Sequence, residues 1–381
     1  MKTVDLGDIA AIDRKGVQPS ALPADTLYLG LEHIERGGRI IGHDTVAGAE
    51  LASTKFRFSP EHVLFGKLRP NLGKISRPDF EGVCSTDILP IRPGAQLDRN
   101  YLAHYLAQPS MVSFAASRAS GANLPRLSPT VLAKFKVPLP PLPEQRRIAA
   151  ILDQADALRA KRRQVLTHLD DLSRSIFHEM FGDLPATSTV APEAALIRTG
   201  PFGSQLLHSE FVDEGVAVLG LDNVIGNAFR WDKRRFITPK KYEQLRRYTV
   251  RPGDVLISIM GTTGRCVVVP HDIPIAINTK HICAITPHAE RLNSNFLRGA
   301  FLWHPESLAH LRRQTKGSIM DGLNMGIIKA MPIPIPPLVE QQVFAKRVTH
   351  VAENIKQVTR GSTADDELFA SLQARAFRGE L

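Results

Sequence analysis

Pro140-Pro141-Leu142-Pro143-Glu144-Gln145 recurs as Pro336-Pro337-Leu338-Val339-Glu340-Gln341, at an offset of 196 residues. The same offset carries Gly121 onto Gly317, Leu127 onto Leu323, Pro138 onto Pro334 and Phe181 onto Phe377. About sixty residues therefore repeat without a gap. Further upstream the offset drifts to 190 and 192, as loops of unequal length require. There Tyr28-Leu29-Gly30-Leu31-Glu32 faces Val218-Leu219-Gly220-Leu221-Asp222, and Pro60 and Val63-Leu64 face Pro252 and Val255-Leu256. A colinear ladder of this kind identifies an internal duplication.

Each half has one plan: a mixed region, a proline-rich hinge and a long helix. In the mixed regions short β-rich runs such as Val255-Leu256-Ile257-Ser258-Ile259 and Val267-Val268-Val269 alternate with turn signals at Gly261 and Gly264. The expected class is α+β: two similar globular α/β domains in tandem, separated by two long antiparallel coiled-coil-like helices, as a pseudo-twofold internal repeat. The expected boundaries are 1–143, 144–183 for the central helix, 184–337, and 338–381 for the C-terminal helix. Pro143 and Glu144 suit a helix start, and Gly182 a stop. Ile148, Leu152, Leu169 and Leu172 fall near a 3.5-residue spacing, as do Phe344, Val348, Ile355 and Leu368 in the second copy. One apolar stripe on so long a helix needs cover, which its own duplicate supplies if antiparallel; packing of each helix on its own domain is the alternative. Gly361-Ser362-Thr363 predicts a kink or break in the second helix.

The formal charge is +10. The two mixed regions carry +4 and +5, whereas the helices carry +1 and 0. Balanced helices suit protein packing, and positive globular regions suit phosphate contact. Three cysteines without CxxC spacing fit a reducing cytoplasm rather than a disulfide framework. No apolar run is long enough to span a bilayer, and Met1 to Asp8 does not read as a signal peptide.

Familiar chemistry is missing from the sequence. Gly37 and Gly42 have phosphate-loop spacing, but His43 follows where a lysine is needed. His178-Glu179 does not complete HExxH. Asp13-Arg14-Lys15 and Pro78-Asp79 do not assemble a nuclease signature, and both Pro-Pro pairs are flanked by Leu or Ile. No histidine shows metal-ligand spacing, so no catalytic or metal residue is assigned and the chain is expected not to be an enzyme by itself.

These residues resemble the specificity (S) subunit of a type I restriction–modification system. The resemblance rests on the doubled Pro-Pro-Leu-x-Glu-Gln element opening each long helix. It rests also on Pro252-Gly253-Asp254-Val255-Leu256-Ile257-Ser258-Ile259-Met260-Gly261-Thr262-Thr263-Gly264-Arg265 and on its first-half counterpart, Val63 to Lys74. The resemblance implies two target recognition domains, each reading half of a bipartite site in double-stranded DNA. It implies a spacer of two helices that sets the gap and seats two modification (methyltransferase) subunits, joined by restriction subunits. S-adenosylmethionine would belong to the modification subunits, and ATP and Mg to the restriction subunits, with no cofactor in this chain. A prokaryotic cytoplasm and no membrane partner follow. Competing readings are a non-catalytic protein-binding scaffold, the specificity subunit of a related modification-only or fused restriction–methylation system, and a self-contained DNA enzyme.

Three groups are candidates for DNA contact. The turns after the paired strands offer Lys67, Arg69, Asn71 and Lys74 in the first half, and Thr262, Thr263 and Arg265 in the second. Arginine can bridge guanine O6 and N7, and asparagine can pair with adenine. The loops before the hinges offer Arg118, Asn123 and Arg126, and Lys316, Ser318 and Asn324. The basic run offers Arg234 and Arg235, to which Lys280 is added. The alternatives are an ordinary glycine turn, a cap by Asn324 on the following helix, and a solvated charged face.

Overall fold

The chain is described from a computed structural model that covers residues 2–231, 234–314 and 323–381. It divides into two compact units, Met1–Arg163 with Arg360–Leu381, and Gln164–Thr359. Each unit therefore combines one mixed region with the start of one long helix and the end of the other.

Both units are α+β and contain sheets of two, four and five strands. In unit 1 the four-stranded sheet runs Ala10–Ile12, Ile88–Pro93, Val63–Gly66, Ile75–Ser76; in unit 2 it runs Ala194–Thr199, Ile282–Pro287, Val255–Ser258, Cys266–Val268. The inner strands read as near-continuous apolar runs because both faces are covered: Val63, Leu64, Val255, Leu256 and Ile257 are all fully buried. Each five-stranded sheet contains one parallel pair, Leu27–Leu29 with Gly82–Cys84, and Val216–Leu219 with Ala276–Asn278. Antiparallel strands flank each pair, and the fifth strand joins at opposite edges. Gly16–Val17 pairs with Lys55–Phe58 in unit 1, and Phe211–Val212 with Phe236–Ile237 in unit 2. The duplicated core is thus kept, and its margin varies.

The long helices span Leu142–Phe181 and Leu338–Arg378. In unit 1 Ile148, Ala149 and Leu152 join a core with Phe369, Leu372, Ala376 and Phe377. Arg159 pairs with Asp366 and Arg162 with Asp365, each at 2.6 Å. Rising numbers on one helix meet falling numbers on the other, so the pairing within this unit is antiparallel. In unit 2 Phe177 and Phe181 both lie 5.6 Å from the Phe344 ring, with Val348 in the same core.

Two expectations about the helices need correction. Leu172 and Leu368 are 44% and 51% exposed, and the side chains turned inward nearby are Phe177 and Phe369. Leu169 and Ile355 are half-buried. Nor does Gly361-Ser362-Thr363 break the second helix, which is continuous through it. The Arg162 guanidinium lies over Gly361, where a Cβ would sit 1.7 Å from Nη1. The glycine makes room for the Arg162–Asp365 pair instead of ending the helix.

The Gln of each repeated element locks a helix to its domain. Gln145 is fully buried; its Oε1 accepts from Asp98 N at 2.9 Å, and its Nε2 donates to Gln96 O and Pro140 O, both at 2.9 Å. Gln341 repeats this with Asn293 N, Arg291 O and Pro336 O, at 2.8, 3.0 and 2.8 Å. A buried amide with every group satisfied fixes one geometry.

Candidate nucleic-acid interface

In unit 1 strands Val63–Gly66 and Ile75–Ser76 form a hairpin whose turn carries Lys67, Arg69, Asn71 and Lys74. Arg69 adopts a left-handed conformation, φ 50°, ψ 60°, which costs a non-glycine residue about 1 kcal/mol or more. The strain is held by Arg69 N donating to Pro125 O at 2.8 Å and by Leu127 N donating to Lys67 O at 2.9 Å. Leu68 bridges Arg126, and Arg126 bridges Ser120. The turn and the loop before the hinge, separate in sequence, are therefore adjoining backbone. Lys67, Arg69, Asn71, Arg118, Asn123 and Arg126 come together, with Arg69, Asn71, Arg118 and Asn123 exposed.

Arg126 of this group, and Lys74 at the end of the turn, are already engaged. Lys74 donates through Nζ to Leu31 O at 2.7 Å and is half-buried, so it ties the turn to the segment after Leu27–Leu29. Arg126 forks onto Asp87, whose hydrogen bond and charge raise the guanidinium pKa and keep it ionised. Arg118 lies 5.2 Å over the half-exposed Phe114 ring.

In unit 2 the turn at Gly261–Gly264 is stapled from beneath. Fully buried Ser258 donates through Oγ to Thr262 O at 2.6 Å and accepts from Arg265 N at 2.8 Å. Thr262 and Arg265 are exposed, and Thr263 is half-buried. Ile259 N donates to His281 O at 2.8 Å, which brings Lys280 beside this turn. His281 is held below the usual histidine range by burial first, then by the cations Lys280 and Arg235. Lys280, Arg235 and the turn thus share one neighbourhood, which the sequence had scattered over three segments.

The chain leading into the basic run is anchored, and Arg230 N donates to Asn223 O at 3.0 Å. Arg298 donates to Cys266 O at 3.2 Å and Asn227 O at 2.9 Å, while Asn227 Oδ1 accepts from Cys266 N at 3.0 Å. Trp231 stacks on Phe229 at 5.9 Å, and the exposed Arg234 lies 5.8 Å over Trp231. Arg235 pairs with Asp222.

Asn324 is a correction: its Oδ1 accepts from Ile327 N at 3.1 Å and caps helix Met325–Lys329. Its repeat partner Ser128 caps Pro129–Ala133 in the same way. Lys316 and Ser318 lie outside the described residues. Sequence reasoning passed over Asp87, Asp222, Ser258 and Arg298. Their one signal was polar character beside or within basic segments; the partners of Asp87 and Arg298 are distant in the chain, whereas those of Ser258 and Asp222 lie in the same local segment. Among the described residues no group of three or more His, Cys, Asp or Glu is placed to hold a metal, and no helix is long and apolar enough to cross a membrane.

Two copies of one α+β unit, each with a cationic hairpin turn, define a duplicated chain suited to phosphate contact at two places. The model of the type I restriction modification DNA specificity domain matches residues 1–168 and 220–362, and the chain belongs to that family. It is 30% identical over 184 residues to the EcoDI specificity subunit of Escherichia coli, covering 47% of this chain and 41% of that protein. It is 25% identical over 309 residues to the Escherichia coli EcoBI specificity subunit, covering 73% and 65%. The chain thus spans less than two thirds of the length of either relative. In fold it is similar to a chain from a type I restriction–modification system solved for its assembly and conformational transition (TM-score 0.58, 20% identity, 100% of this chain and 98% of that one). It is also similar to the type I S subunit from M. genitalium (TM-score 0.61, 13% identity, 99% and 96%).

Proposed function

We propose that the chain is the DNA-recognition subunit of a type I restriction–modification enzyme in a prokaryotic cytoplasm. Each mixed region, 1–143 and 184–337, reads one half of a bipartite site in double-stranded DNA. The helices, 144–183 and 338–381, set the gap and seat two modification subunits, with restriction subunits joining them. The chain itself catalyses nothing: S-adenosylmethionine is bound by the modification subunits, and ATP and Mg by the restriction subunits. The observation that carries this reading is the family match to both halves, coinciding with a cationic turn at the same place in each four-stranded sheet. Apolar side chains left exposed on the helices support subunit docking: Leu158 and Leu368 in unit 1, Val165 and Leu172 in unit 2.

The test is duplex binding by the full chain with its modification partner at rising salt. Several phosphate contacts give a steep negative slope of log affinity against log salt, and Arg69→Ala should reduce that slope by about 1. Absence of binding to any duplex would favour a protein scaffold, and methylation or cutting by the pure chain would revive a self-contained enzyme.

A further inference from the structure

We propose that Asp87 and Asp222 set base specificity by holding Arg126 and Arg235 in the orientation that reads guanine, leaving Arg69 and Arg265 to contact phosphate. This rests on the DNA-reading function proposed above.

Arg126 grips Asp87 from its side: Nε donates to Oδ1 at 2.9 Å and Nη2 to Oδ2 at 3.4 Å. That grip leaves the end of the guanidinium, Nη1 and the second Nη2 hydrogen, which among the described residues meets only a 3.5 Å contact to Leu124 O. Two N–H groups on that edge match guanine O6 and N7. The pair stays accessible, with side-chain exposures of 43% and 24%. Asp87 is fixed in turn: its backbone N donates to Ser85 Oγ at 3.2 Å, and its carbonyl accepts from Lys67 N at 2.9 Å. Carboxylate, arginine and basic turn are therefore locked to one another.

Unit 2 reaches the same pairing by another route. Arg235 donates through Nη2 to Asp222, with exposures of 40% and 30%. Its guanidinium lies against Gly220, where a Cβ would sit 2.8 Å from Nη1. Asp87 follows strand Gly82–Cys84, whereas Asp222 follows Val216–Leu219, which corresponds to Leu27–Leu29. The two pairs hang from opposite members of the parallel pair, so they are not copies inherited through the duplication. A carboxylate on a surface meant for phosphate repels its ligand. Its recurrence at two non-equivalent places, each time gripping an accessible arginine, is accounted for by orientation, since a held fork is geometrically selective in a way a free charge is not. Arg69 and Arg265 are exposed and have no carboxylate partner among the described residues.

The experiment incubates the full chain, assembled with its modification partner, with a randomised duplex library and sequences the bound fraction. Wild type should enrich a two-part motif; if no sequence is enriched, the DNA-reading function itself falls. Given a motif, Asp87→Asn should open a guanine-containing position in one half, with discrimination there falling about tenfold or more, and leave the other half intact. Asp222→Asn should do the same in the other half. Arg126→Lys keeps the charge and loses the fork, so it should mimic Asp87→Asn; it decides the matter if thermal melting shows that Asp87→Asn is misfolded. A motif unchanged in the folded variants, or weakening that is equal at all sequences, overturns the proposal.

Discussion

In unit 2 Asp254, just before strand Val255–Ser258, pairs with Arg198 on the edge strand Ala194–Thr199, across the intervening strand Ile282–Pro287. In unit 1 the sheet register puts His62 and Asp13 at those two places, His62 Nε2 meeting Asp13 Oδ2 at 3.0 Å. The charge has changed sides. Asp254 and Arg198 have side chains 0% and 6% exposed, with Thr249 O, Thr286 Oγ1 and Arg251 N completing the network. Asp13 is 33% exposed and shared with the half-exposed Arg92. The duplication therefore preserved a polar tie between two strands and let its chemistry and depth diverge.

Loss of the buried carboxylate should be the most damaging of these changes. Asp254→Asn leaves the Arg198 charge buried without its counter-ion and should cost about 3–5 kcal/mol. Asp13→Asn, at a solvated pair, should cost about 1 kcal/mol or less. Chemical unfolding followed by hydrogen exchange, which assigns the loss to a unit, checks both. Equal losses would mean that the two ties do the same work despite their burial.

Gln145→Ala and Gln341→Ala should come next, and here the units should agree. Each removes three hydrogen bonds from a fully buried amide, strands a backbone N–H and two carbonyls, and should cost about 2–3 kcal/mol. An unfolding midpoint that shifts for one variant alone would end the equivalence of the two helix starts.

The sequence made the duplication, the two long helices and the cationic turns readable, because each is local or periodic. Which side chains face inward was less readable. A 3.5-residue stripe drifts by about 20° per heptad on a straight helix, so by the end of the central helix Leu172 has turned outward and Phe177 inward. The convergence of Arg69 with Pro125 and Arg126 could not be read, since those backbone contacts join segments more than fifty residues apart. Asn324 was legible only as a choice between ligand contact and cap, and Ile327 N decides it.

Acid should weaken unit 1 through two depressed carboxyls. Burial alone would raise the Asp13 pKa, but hydrogen bonds from Arg92 and His62 outweigh it and hold the carboxyl below its ordinary value. At Asp153 burial is likewise outweighed by His104 and Arg77, at 2.8 and 2.5 Å. A carboxyl depressed in the folded state stabilises fully above its unfolded pKa, and the contribution disappears as pH falls through the lower folded value. Unfolding measured from pH 7 down to about 3 should show this loss in unit 1, and Asp153→Asn should remove part of it. An unaltered pH profile in that variant would show that the Asp153 contacts contribute little.

Gly361→Ala should give the smallest effect, and its sign separates a weak point in the helix from a seat for Arg162. A glycine inside a helix costs about 1 kcal/mol relative to alanine, so a mere weak point would be stabilised by that amount. Here the new methyl would displace the Arg162 guanidinium from Asp365, a pair whose side chains are 29% and 14% exposed. Loss of that partly buried pair should cancel the propensity gain and leave the melting temperature nearly unchanged. In an Arg162→Ala background nothing opposes the methyl, and the same substitution should then stabilise by about 1 kcal/mol. The double-mutant cycle should therefore show a coupling of that size between two residues on different helices. Simple additivity would mean that the glycine has no seat to provide and that the antiparallel register in unit 1 does not depend on it.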